Sequence, residues 1–298
     1  MNDAMPAKPV YDRTTEDVGN IVELGHVNTR VPDQQIATLF YVVGLGLTRD
    51  PYLNMGVDNM WINVGTCQFH LPTGKPQVLR GTTGLVLPDI AALTHRLERV
   101  KPRLKGTMFD FRTKNGVIEA TCPWGNHIRC HGPDAKKFGR VSLGMPYVEI
   151  DCPRGGSAGI ARFYQEILET PATSGKDAKG RFTRVPVGLN ESLVYRETDR
   201  ELPPFDGHHV QIALRDFSGP YRRLLARGLI TAEDNQHQYR FENIVDLDSG
   251  AVLASIEHEV RSMRHPMYAR ALVNRNPEQT AMHYTPGQEA WSWAMAAE

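Results

Sequence analysis

The sequence predicts an α+β fold built from four βαβββ modules, and three observations predict it. A strand followed by an amphipathic helix recurs four times along the 298 residues. Each helix is followed by short strand-like segments separated by Gly, Asn and Pro. The phrase "GHVNTRVPD" (residues 25–33) is echoed by "GHHVQIALRD" (residues 207–216). Internal repetition outranks local propensity as a guide, because a repeated unit fixes where equivalent positions fall.

Module one opens with the strand "VELGHVNTRV", whose alternation implies one buried face. Pro32 and Asp33 supply helix-start chemistry, and Ile36, Leu39, Phe40 and Val43 recur at helical spacing. Gly44 and Gly46 end that helix, and "LTRDPYLNMG", "NMWINVG" and "TCQFHLP" read as three short strands. Module two is "TGLVLPDIAALTHRLERV", with Ile90, Leu93, Leu97 and Val100 on one helical face, and then the hairpin strands of "MFDFRTKNGVIEATCPWGNHIRCHG". Module three begins "MPYVEIDCP" and continues as a helix through Ile160, Phe163, Tyr164, Ile167 and Leu168. Its "FYQEILE" repeats the Phe-Tyr-x-x-x-Leu pattern of "FYVVGLG", and "FTRVPVGLNESLVYRE" supplies its strands. Module four runs from "GHHVQIAL" through a helix near "SGPYRRLLARGL" to "YRFENIVDLDSGAVLASIEHEVR", with Asp248, Ser249 and Gly250 as a hairpin turn. The expected organisation is an N-terminal arm (1–19), modules one and two (20–136), modules three and four (142–265) and a C-terminal extension (266–298). Trp291 and Trp293 of that extension are expected to pack against a module or a neighbouring subunit.

A hydrophobic content of 41% supports real cores. Acids and bases balance at 34 each, without basic runs or acidic tails, so nothing points to nucleic acid or an anionic membrane as partner. No apolar stretch reaches a bilayer-spanning length, and residues 1–17 lack the plan of a signal peptide, so the expectation is a cytoplasmic protein. Cys67, Cys122, Cys130 and Cys152 form no C-x-x-C pair and are expected to be reduced, mostly buried thiols.

Four such modules, carried by the phrases quoted above over roughly residues 20 to 265, resemble the vicinal oxygen chelate superfamily of glyoxalases, bleomycin-resistance proteins and type I extradiol dioxygenases. The resemblance implies that modules pair into two half-open barrels whose concave sheet holds one divalent metal, ligated from the first and last strands of the two modules sharing a barrel. Transferred by position, module one offers His26 and His70, module two Thr83 and Arg129, and module three Tyr147 and Tyr195. Module four offers His209, with His208 beside it, and a carboxylate in "IEHEV". The donors thus sort into modules one and four, as in glyoxalase-type relatives that pair those modules. Extradiol enzymes pair three with four and would need a histidine where Tyr147 stands.

Neutral imidazoles with one carboxylate suit Fe(II), favoured here, or Mn(II) or Zn(II), and leave positions open for two neighbouring substrate oxygens. The expected ligands are His26, His70, His209 and Glu259. Glu257 is the competitor, because residues two apart on a strand share a face. Tyr147, Tyr195 and His208 are expected as catalytic or substrate-orienting groups; Arg129 is expected to hold a substrate carboxylate or to bridge strands. A single histidine or buried tyrosine of this kind is more often structural than functional. The family format of four modules in about 300 residues favours dioxygenase-like oxidation of a small oxygen-rich molecule. Lyase or isomerase chemistry, to which a fourth ligand such as His70 leans, and non-catalytic sequestration are the alternatives. Open sheet edges also allow a homo-oligomer.

Overall fold

The computed structural model describes residues 11–53, 56–277 and 279–286; Trp291 and Trp293 lie outside them. Its elements are β1 (Ile21–Asn28), α1 (Gln34–Ala37), β2 (Thr48–Arg49), β3 (Asn59–Val64), β4 (Cys67–Pro72), β5 (Gly81–Val86), α2 (Ile90–Val100), β6 (Asp110–Lys114), β7 (Val117–Thr121), β8 (His127–His131) and α3 (Ala135–Phe138). They continue as β9 (Gly144–Pro153), α4 (Ser157–Ile167), β10 (Thr173–Asp177), β11 (Gly180–Gly188), β12 (Glu191–Thr198), β13 (His209–Leu214), α5 (Ser218–Ala226), β14 (Ile230–Asn235), β15 (Gln238–Val245) and β16 (Val252–Ser262). The strands form two eight-stranded sheets. One has the order β14-β15-β16-β13-β1-β4-β3-β2 and the other β10-β11-β12-β9-β5-β8-β7-β6. Neither closes, so the expected α+β architecture of four modules in two half-open barrels is the one observed.

Sheet order decides which distant residues can meet. In the first sheet β1 pairs antiparallel with β13 and parallel with β4, and β13 pairs parallel with β16. The first and last strand segments of the chain therefore share one concave face, and the two middle segments share the other. One continuous hydrophobic core, including Phe40, Tyr41, Phe69, Val148, Phe163, Ile212 and Phe241, packs against the opposite faces of both sheets.

Two local departures from the sequence reading have physical causes. Asp33 caps the first helix as expected, its carboxylate accepting from the backbone N–H of Gln35 and Ile36 at 2.7 and 2.9 Å. The α-helix lasts only one turn and then widens into a π-helical stretch, Thr38–Gly44, closed by Leu45 N–H donating to Phe40 C=O at 2.8 Å. The extra residue per turn rotates the stripe, so Ala37, Phe40, Tyr41 and Gly44 are buried while Ile36, Leu39 and Val43 are only partly covered. Among the described residues of "LTRDPYLNMG", Thr48 and Arg49 pair as a strand; Asp50 ends it by turning its carboxylate onto the N–H groups of Tyr52 and Leu53.

All four cysteines are free and buried. Cys67 helps tie the two sheets together. Glu191, at the β11–β12 hairpin, accepts from Cys67 Sγ at 3.0 Å, Leu24 N at 3.1 Å and Thr66 Oγ1 at 3.3 Å. Burial pushes the Glu191 carboxyl up from 4.5 to about 7. Between those values the unfolded chain has released the proton that the folded chain keeps, so stability falls as pH rises through the window and levels off above it. Urea unfolding across it should show this slope in the parent protein and a shallower one in Glu191→Gln. An identical slope in the two proteins would remove Glu191 as its source.

Candidate metal centre

A β-bulge aims the first candidate ligand. Leu24 pairs with Ile212 and His26 with the next residue on the partner strand, Gln211, so the extra residue on β1 is Gly25. Without it Leu24 and His26, two apart, would share a face; with it Leu24 enters the core and His26 faces the concavity. A Cβ at residue 25 would lie 1.7 Å from Gln211 Oε1, so the glycine leaves room for that amide in its present place.

Register then lays out two polar rows on the concave face. Gln68, His26, Gln211 and Glu259 are successive cross-strand partners, and two residues further along so are His70, Asn28, His209 and Glu257. His26 and His209 bring Nε2 atoms to 3.3 Å of each other. Two imidazole ligands of one tetrahedral ion, each about 2.05 Å from it, would stand about 3.3–3.4 Å apart. His26, His70 and His209 each place a ring nitrogen within 4.8 Å of the others, the one such group among the described residues. His70 stacks on Trp61 with centroids 3.8 Å apart. Its Nε2 is taken by Asn59 Oδ1 at 2.8 Å, and its buried Nδ1 has no hydrogen-bond partner.

The two glutamates occupy different edges of His209. Glu257 Oε1 lies 3.3 Å from His209 Nδ1 and Glu259 Oε2 lies 3.4 Å from His209 Nε2. Glu259, 3% exposed, is thus on the nitrogen that faces His26. Arg240 bridges both carboxylates and Arg261 pairs with Glu259. Burial by itself would raise the Glu259 carboxyl, but the His209 hydrogen bond and the Arg261 and Arg240 guanidiniums hold it well below the usual carboxylate range. Burial lowers His26 well below an ordinary histidine and His70 to about 3. His26 and His70 are therefore uncharged and Glu259 is ionised at neutral pH, donors that a divalent cation accepts.

Other residues expected at the site are elsewhere. Tyr195 opposes Ile150 on the core face of the second sheet and bonds Tyr164 Oη at 2.6 Å. Its strand segment, with Leu193, Val194 and Tyr195 all buried, gave no alternation to choose a face. His208 precedes β13 and is fully buried, its Nδ1 on Asp206 Oδ1 at 2.6 Å. Tyr147 does face a concavity, but that of the second sheet, where its hydroxyl meets His131 Nε2 at 2.9 Å. Thr83 points into the core opposite Val148 and Ile128. The second concavity is threaded by charge pairs: Arg112–Glu119 at 2.7 Å, Arg129 within 3.7 Å of Glu119 and Glu149, and Arg196–Glu149 at 3.3 Å. Arg129 bridges strands there, the structural alternative for that residue.

The segment after β16 crosses one end of the first concavity. Arg270 pairs with Asp50 at 2.7 Å, Asn63 donates to Val273 C=O at 2.8 Å, and Asn274 exchanges two hydrogen bonds with Gly65. Asn28, Asn59, Trp61, Gln211 and Arg240 were not singled out in the sequence. Gly25, breaking the strand just before His26, was the visible signal for Gln211; nothing periodic marks the others, whose proximity depends on strand pairing.

No protein-family model and no curated protein sequence matches the chain. Solved structures do. Glyoxalase I from Zea mays superposes with a TM-score of 0.54 at 14% identity, over 80% of this chain and 92% of that one. A provisionally assigned dioxygenase from Bacillus subtilis subsp. subtilis str. 168 gives 0.53 at 15%, over 83% and 86%. With the paired half-open sheets, these likenesses establish that this chain has the fold of the vicinal oxygen chelate superfamily.

Proposed function

We propose that the protein is a metal-dependent enzyme in which His26, His70, His209 and Glu259 hold one divalent cation, and that it carries out redox-neutral lyase or isomerase chemistry on a small oxygen-rich substrate. The observation that carries this reading is the third imidazole. His70 brings a ring nitrogen within 4.8 Å of those of His26 and His209 and keeps a buried Nδ1 without a hydrogen-bond partner, which would make it a fourth protein ligand with Glu259 rather than leave a three-ligand face of the oxygenase kind. Bound there, such an ion would polarise a substrate carbonyl and lower the pKa of a neighbouring hydroxyl.

The chain's own groups do the positioning. Asn59 Oδ1 accepts from His70 Nε2–H and so leaves the lone pair on Nδ1. Glu257, held by Arg240, stands at His209 Nδ1 and fixes the opposite edge of that ring, leaving Nε2 for the ion. On this reading Glu259 is the ligand and Glu257 its supporting carboxylate.

Titration of metal-free protein with Zn(II), Co(II) and Fe(II) by calorimetry tests the metal half of the proposal; one equivalent bound supports it and none rejects it. Asn59→Ala should weaken binding by about 10–100-fold. Oxygen uptake by iron-loaded protein with a catechol panel, absent from the zinc form, would replace the lyase reading by ring cleavage.

A further inference from the structure

We propose that the concave face of the second sheet binds a linear zwitterion of dipeptide length, its opposite charges about 7 Å apart, with Arg129 taking the carboxylate and Asp151 the ammonium. Both residues lie on strands of the second sheet, β8 and β9, so the site stands apart from the histidine cluster and needs no metal.

This hollow is the roomier of the two. It holds a cavity of about 640 Å³, within the range of small-molecule sites, against about 20 Å³ beside the histidine cluster. Arg112, Glu119, Arg129, Glu149, Asp151 and Arg200 all line it. A ligand without charge would strip water from these groups and leave their hydrogen bonds unreplaced, whereas a ligand carrying both signs replaces them.

Arg129, besides bridging strands, has donors to spare. Its Nε stands 3.6 Å from Glu119 and its Nη1 3.7 Å from Glu149, both beyond good hydrogen-bond reach. Each of those carboxylates has a nearer guanidinium. Glu119 has Arg112 at 2.7 Å, and Glu149 has Arg196, which also holds Asp177, at 3.3 Å. The Tyr147 hydroxyl accepts from Arg129 and meets His131 Nε2 at 2.9 Å. Gly84 is the cross-strand partner of both Arg129 and Tyr147, and a Cβ there would lie 2.3 Å from the tyrosine ring. The glycine therefore lets that ring lie across β5 and prop the guanidinium in the hollow, where its fork of N–H groups suits a carboxylate.

Asp151 is a carboxylate short of compensation. Its side chain is 17% exposed, whereas that of Arg200, its ion-pair partner at 2.6 Å, is 76% exposed. A pair with so exposed a member contributes little, and burial pushes the Asp151 carboxyl up. An ammonium entering the hollow meets that charge.

Spacing sets the length of the ligand. The Arg129 guanidinium reaches to Glu149, and Asp151 lies two residues further along β9, about 7 Å by the rise of a strand. An extended dipeptide spans about 7 Å and a free α-amino acid about half of that.

The test is calorimetry on the metal-free full chain with L-alanyl-L-alanine, so that chelation by the peptide plays no part. Alanine shortens the molecule, N-acetyl-alanyl-alanine removes its positive charge and alanyl-alanine amide its negative one. The dipeptide should bind about tenfold or more tightly than each of the three, the worth of one charged hydrogen-bonded contact. Asp151→Asn and Arg129→Gln should each weaken it by about tenfold, and His209→Ala should leave it unchanged. Arg200→Ala, which removes the competitor for Asp151, should tighten it by about threefold. Circular dichroism checks folding; if Arg129→Gln does not fold, Asp151→Asn and Arg200→Ala decide. No binding of the dipeptide, equal binding of any of the three comparators, or an affinity that the Asp151 and Arg200 variants do not move overturns the inference and leaves the metal reading standing.

Discussion

Replacing His209 with alanine should lower metal affinity by on the order of 100- to 1000-fold. Zinc held by a complete protein ligand set is worth about 10–16 kcal/mol, so losing one of four donors removes roughly 3–4 kcal/mol. His209 also organises its neighbours. Its Nε2 faces both His26 and Glu259, and its Nδ1 faces Glu257. Without the ring, Arg240 and Arg261 hold the two glutamates with nothing opposing them. Adjacent His208 provides the control: its ring is engaged by Asp206 away from the cluster, so His208→Ala should leave metal affinity within a few-fold of the parent. Calorimetry on both variants, with circular dichroism to check folding, makes the comparison; equal losses in the two would dissolve the distinction between them.

The second large effect concerns stability. Tyr164 is the middle of a buried chain in which Tyr195 Oη donates to Tyr164 Oη at 2.6 Å, Tyr164 Oη donates to His258 Nε2 at 2.6 Å, and His258 Nδ1 donates to Ile256 C=O at 2.9 Å. Burial lowers His258 to about 4, so the ring is neutral and this set of donors is consistent throughout. Tyr164→Phe removes the hub and strands two buried polar groups, at about 1–3 kcal/mol each; the expected loss is about 2–5 kcal/mol in urea unfolding. Tyr195→Phe removes only the terminal donor and should cost about 1 kcal/mol. Neither change should alter metal affinity. A loss of metal binding in Tyr195→Phe would return that residue to the site.

Much of this arrangement is visible in the sequence, because it depends on periodicity. Alternation marks the strands bearing His70 and His209, and the echo of "GH" marks the equivalent positions of His26 and His209. Strand parity stops short where two candidates share a face: Glu257 and Glu259 are separated only by which nitrogen of His209 each meets. It also misleads where alternation is missing, as in the uniformly buried Leu193–Tyr195, or where a bulge resets it, as at Gly25. Residues such as Asn59 and Asn28 enter through strand pairing, a tertiary property that a local pattern does not encode. The π-helical turn likewise answers to packing: Gly44 approaches Leu97 and Val100 of α2, where an added Cβ would meet side-chain carbons at 3.3–3.4 Å.

The nested strand order has a temporal consequence. His26 and His209 are 183 positions apart, and the sheet that unites them encloses, in chain order, the whole of the other sheet. During synthesis β5 through β12 can assemble from contiguous chain, whereas the sheet carrying His26 and His209 is complete only when β16 has emerged, and contacts of such long range come at a high entropic cost of closure. The nascent chain thus cannot gather His26, His209 and Glu259 on one face before its last strand exists.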